Sequence, residues 1–156
     1  MEITRTQFHG LIQVQWEARE KEKDTKYLVD QWNTKISAKF GELARSINDN
    51  SADSMLLQDI VILADLLRSW YWVIGKEDFF HATEKEREFQ DARWGQQEHS
   101  RRKWFMIAAE EAGEIAEAIE NTKEGSEYPT EKITEEIIQL SAVLEAWVTS
   151  HDWFYE

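Results

Sequence analysis

The chain has 156 residues, a net charge of −13 from 18 Lys+Arg against 31 Asp+Glu, no cysteine, one proline and 42% hydrophobic residues. That is one domain's worth of chain, and a domain of this size buries about 70% of the surface its unfolded chain exposes. The composition excludes disulfides, thiolate metal sites and a thiol nucleophile, and its negative excess disfavours nucleic acid and anionic membranes as partners.

Apolar residues recur at three- and four-residue steps almost throughout, with few helix breakers, which predicts an all-α fold. In chain order the expected helices run over 4–22, 25–47, 52–74, 84–95, 100–121 and 130–151. The segment Asn48 to Ser51 separates the second from the third, Gly75 follows the third, and Gly125 and Pro129 lie in the loop before the last. No linker divides them, so residues 1–156 are expected to form a single helical bundle. No run approaches about 18 uninterrupted apolar residues, and the opening MEITRTQFHG lacks a signal peptide's apolar centre, so a cytoplasmic setting is expected.

The chain also repeats itself. KFGELARSI (Lys39 to Ile47) aligns with EAGEIAEAI (Glu111 to Ile119), and LQDIVILADLLRSW (Leu57 to Trp70) with TEEIIQLSAVLEAW (Thr134 to Trp147). Two three-helix units are expected, a degenerate scaffold half over 1–78 and a half carrying the site over 79–156.

Two acids stand where apolar residues belong. At about 100° per residue, Glu111 shares its arc with Trp104, Ile107, Ala108, Ile115 and Ala118; Glu114 lies near −60°, at the rim, and Glu110 and Glu117 fall outside. On the last helix Glu136 shares an arc with Ile133, Leu140, Val143, Leu144 and Trp147, Gln139 taking the rim and Lys132 lying near −40°. Carboxylates on core-facing stripes need compensation. Three of them about 4 Å apart would repel by about 4 kcal/mol per pair at an effective dielectric near 20. A divalent cation removes that cost, and an all-oxygen ligand set favours Mg²⁺, with Mn²⁺ as the alternative, over Zn²⁺. Such an ion also makes an acidic site attractive to an anionic nucleotide.

These residues resemble the MazG-like, all-α nucleotide pyrophosphohydrolases, marked by ExxE and ExxD on facing helices. Here the elements are Glu111-Ala112-Gly113-Glu114 and Glu136-Ile137-Ile138-Gln139, with Gln in place of the terminal Asp. One branch of that family is closer still, with a WGxQxH segment matched by Trp94 to His99 and an EELxQ stretch matched by Glu135 to Gln139. The resemblance covers about residues 84–151. It implies Mg²⁺-dependent hydrolysis of a nucleoside triphosphate to monophosphate and pyrophosphate. It implies Glu111, Glu114, Glu136 and Gln139 as metal ligands, with Glu110 beside the three acidic ligands in the catalytic set. Trp94, Gln97 and His99 are candidates for the base or sugar. Lys132, and also Arg101, Arg102 and Lys103, are candidates for phosphate charge. The family builds its site from paired units; the repeat supplies a pair within one chain and leaves a homodimer open. Two alternatives stand beside the enzyme: a non-catalytic nucleotide sensor, and a helical interaction module with a structural acidic cluster.

In the first half Lys39 falls where Glu111 stands, Glu42 matches Glu114, Asp59 matches Glu136, and Ile62 matches Gln139. The expectation is that the Lys39 ammonium replaces the metal, pairing with Glu42 and Asp59.

Overall fold

The computed structural model describes residues 2–19, 27–74, 78–126 and 129–150. It is all-helical: α1 (Arg5–Ala18), α2 (Val29–Asn48), α3 (Asp53–Ile74), α4 (Phe79–Trp94), α5 (Arg101–Glu120) and α6 (Glu131–Thr149). None of these helices is long and apolar enough to cross a membrane.

Short polar side chains set where several helices begin. Thr4 and Gln7 form a reciprocal capping box on α1. Asp78 accepts from the His81 N–H at 3.0 Å, Ser100 from Lys103 N–H, and Thr130 from Ile133 N–H, each satisfying a donor that the first turn leaves unpaired. Gly95 ends α4: its φ of +70° is a conformation L residues avoid, and its N–H bonds Asp91 C=O at 2.8 Å.

Three boundaries differ from expectation, one of them the start of α2 at Val29 rather than 25, with Leu28 at its N-cap. Helix α4 starts at Phe79 rather than 84, because Asp78 caps it and Phe79 and Phe80 pack on Tyr71 and His9. Helix α1 ends at Ala18; the last part of its expected span, and the first two residues of the second expected helix, lie outside the described residues. Asp78→Ala should cost about 1 kcal/mol of stability, read as a lower urea midpoint with an unchanged m-value.

Helices α3 and α6 are the central layer, covered on one side by α2 and α5 and on the other by α1 and α4. The centre is apolar, with Ile60, Leu63, Leu67, Leu140, Leu144 and Trp147 fully buried. Exchanging the first three helices with the last three leaves the pattern of packing partners unchanged. Helices α2 and α5 are each 20 residues long, and Lys39 and Glu111 occupy the same position in them.

Helix α6 departs from the one-sided pattern assumed from sequence. It is buried from Leu140 through Val148 without interruption, so its polar residues are enclosed whichever way they point. Glu145, on the side of α6 opposite Glu136, is fully buried among Arg5 and His9 of α1 and Arg87 of α4. Asp65 of α3 is equally buried and pairs with Arg19 Nε at 2.5 Å.

Candidate metal centre

Helices α5 and α6 pack directly on one another and bring three carboxylates together. Glu111, Glu114 and Glu136 each offer an oxygen, and these atoms all lie within 4.8 Å of one another. Glu136 is 1% exposed; Glu111 is half-buried, and Glu114 lies nearer solvent. Lys132, one turn before Glu136, brings its Nζ to 2.5 Å from Glu136 Oε1. Glu136 Oε2 and Glu111 Oε2 are buried with no hydrogen-bond partner.

The electrostatics follow from that crowding. Burial first, then the like charges of Glu114, Glu136, Glu110 and Glu86, push the Glu111 carboxyl up to about 7. Glu114 is raised above its ordinary value, chiefly by a hydrogen bond shared with Glu136, next by burial and the Glu136 charge, while Lys132 acts the other way. Lys132 is itself raised by its contact with Glu136. Near neutral pH Glu111 therefore retains part of a proton that a hard cation would displace. Unpaired buried oxygens, close mutual approach and an all-oxygen donor set fit Mg²⁺ or Mn²⁺.

Glu111 also lines a cavity of about 500 Å³ between α4, α5, α6 and the first residues of α1. Glu110, exposed, stands beside it on the same wall. Trp94 and Gln97 line this cavity too, and the Trp94 ring is 54% exposed rather than part of the core. His99 sits behind them. Its Nε2 meets Gln97 Oε1 at 2.9 Å and its ring lies edge-on to Trp104, with burial and then Lys103 lowering its pKa. Gln139 borders a second groove with Tyr71, Glu86 and Glu135. Two residues of the basic run are committed elsewhere: Arg101 is buried against Asp53, and Arg102 donates to Asn48 Oδ1 at 3.0 Å, so both pin α5 to the first half.

Arg5, Arg87, Gln90 and Asp91 complete the cavity wall and were not singled out from sequence. The angular construction applied to the fourth helix would have found Arg87, which shares an arc with Phe80, Thr83, Gln90 and Trp94. Arg5 carried no such signal, since it reaches the wall from the other half of the chain.

In that half the Lys39 ammonium contacts Glu42 and lies 4.0 Å from Asp59, whose other oxygen accepts from Ser46 Oγ at 2.6 Å. A side-chain cation thus occupies the position equivalent to the acidic cluster. Compared with family profiles, curated proteins and solved structures, the chain matches none.

Proposed function

We propose that the protein is a MazG-like, Mg²⁺-dependent nucleoside triphosphate pyrophosphohydrolase of the cytosol. The observation that carries this reading is a trio of carboxylates with unpaired buried oxygens at the edge of a nucleotide-sized cavity. Glu111 and Glu136 would hold the ion from facing helices, and Glu114 would close the set from the solvent side. When bound, the ion supplies Lewis-acid polarisation of phosphate oxygens and lowers the pKa of a coordinated water. The chain's own residues do the rest. Lys132, tethered by α6 beside Glu136, offers positive charge to a phosphate oxygen. Glu110, on the cavity wall next to Glu111, is placed to accept a proton from an attacking water. Trp94 gives a nucleoside an apolar face.

The test is release of pyrophosphate from a panel of triphosphates with Mg²⁺. Release that Glu136→Gln stops supports the reading; nucleotide binding with no release supports a sensor instead. Thermal stability gives a second check. Because the folded value of Glu111 lies above its unfolded one, its contribution to stability is complete below about 4.5 and is lost as pH rises through about 7. Mg²⁺ should recover it only where the site is deprotonated. At ten times its Kd, the ion should add about 1.4 kcal/mol at pH 8, or ~3–5 °C in Tm for a domain of this size. At pH 5.5 the gain should vanish. An equal shift at both pH values, or none at either, would contradict an acid-ligated site.

A further inference from the structure

The deepest acid of the trio is already covered by a cation. Glu136 is 1% exposed and both its carboxylate oxygens are buried, yet Lys132, whose side chain is 65% exposed, brings Nζ to 2.5 Å from Oε1. The ammonium thus forms part of the cover over that oxygen. A carboxylate at this depth needs a counter-charge, and among the described residues Lys132 is the one cation paired with Glu111, Glu114 or Glu136. It is carried on a flexible stem that lies in solvent, so it is also the part of the cover that is free to leave.

The first half shows the contrasting arrangement. Lys39 grows from the place on α2 that Glu111 holds on α5; its side chain is 14% exposed, it contacts Glu42 and it lies 4.0 Å from Asp59. That ammonium joins α2 to α3 from inside. Lys132 instead reaches its acid from one turn earlier on the same helix, a place held in the first half by Met55, one turn before Asp59. The rim lysine belongs to the half with three acids, and the seated lysine to the half with two.

An ammonium and a divalent ion make conflicting demands on Glu136. Mg²⁺ takes ligand oxygens at about 2.0–2.1 Å and holds them in near-octahedral order. Whichever oxygen of Glu136 the ion takes, one negative charge does not neutralise both cations in full, and the two cations repel each other. Resting on the ion-binding part of the pyrophosphohydrolase reading, we infer that Lys132 is a resident counter-ion: its ammonium neutralises Glu136 in the ion-free protein and yields the carboxylate when a divalent ion arrives. The exchange is reciprocal. Whatever Lys132 adds to the stability of the ion-free fold, it subtracts from ion affinity.

Calorimetric titration of wild type and Lys132→Met with Mg²⁺ and with Mn²⁺ at pH 8, beside thermal melting of both proteins with and without the ion, tests this. Methionine keeps an unbranched stem and removes the charge. The variant should bind either ion about three- to fivefold more tightly than wild type. Without the ion it should melt lower by ~2–4 °C, and saturating Mg²⁺ should close that gap, because the tighter binding returns what the lost pair took away. In a Glu136→Gln background, Lys132→Met should leave the ion-free Tm unchanged, since the two side chains act as one pair. Equal or weaker ion binding by Lys132→Met overturns the inference. So does tighter binding with no fall in ion-free Tm, which would be a general effect of charge rather than a shared carboxylate, or a Tm loss that persists in the Glu136→Gln background.

The same titrations separate this inference from the hydrolase reading. An ion bound equally well by both proteins removes the counter-ion role and leaves the metal site standing. Tighter binding by Lys132→Met, with no pyrophosphate released by wild type from any triphosphate, leaves the exchange standing and removes the hydrolase. Failure of both proteins to bind either ion removes both.

Discussion

Glu111→Gln is expected to abolish Mg²⁺-dependent pyrophosphate release and, at the same time, to raise the melting temperature of the ion-free protein. The two effects have one origin. Glu111 is held between Glu114 and Glu136 with a buried oxygen that finds no donor, and burial and repulsion push its carboxyl up to about 7. Replacing it by the isosteric amide removes the charge that makes the empty site costly and also the charge that would hold the ion. Since mutation of residues that merely support a metal ligand typically costs 10–100-fold, loss of a ligand should cost activity at least about 10²-fold. Ion-free stability at pH 8 should rise by about 1 kcal/mol, allowing for solvent screening at a half-buried group, which is ~2–4 °C. At pH 5 the wild-type side chain already carries a proton, so the difference in Tm should close. A variant that melts lower than wild type at pH 8 without metal would show that the carboxylate is stabilising, and the site would lose its rationale.

The second large effect lies across α6. Glu145→Ala is expected to lower unfolding free energy by about 3–5 kcal/mol, measured by urea denaturation, because it strips a fully buried charge from between Arg5, His9 and Arg87. Burial already lowers the Arg87 guanidinium below its ordinary value, with Asp91 and Glu145 opposing that shift and Arg5 reinforcing it. Removing Glu145 leaves Asp91 alone to balance two cations, Arg5 and Arg87. Lys39→Ala should be far milder, since Glu42 is exposed and can rehydrate. A loss below about 1 kcal/mol for Glu145→Ala would mean that solvent reaches the cluster.

Helical periodicity made most of the fold legible, and the placement of Glu111 and Glu136 followed from it because each helix was read as having one buried arc. That same assumption hid Glu145. On α6 both sides are covered, by α5 on one and by α1 and α4 on the other, so an acid opposite Glu136 is enclosed too. The start of α4 was obscured for a different reason. Phe79 and Phe80 take helical positions against Tyr71 of α3 and His9 of α1, contacts between different helices that the periodicity of one helix does not register. Arg5 was beyond reach for the same reason, being placed at the cavity by the docking of α1 on α3 and α6. The half read as scaffold therefore lends a side chain to the other half's cavity.

Lys39 carries a consequence of its own. Its ammonium is covalently fixed to α2, so the counter-charge for Glu42 and Asp59 travels with the polypeptide and cannot be removed by a chelator or by dilution. The equivalent place between α5 and α6 has Lys132 against Glu136 at its exposed side, but no side-chain cation at Glu111 Oε2. On the proposed metal-binding reading, one fold holds two answers to a single electrostatic problem, one permanent and one exchangeable, and only the second would make the protein responsive to the ionic content of its surroundings.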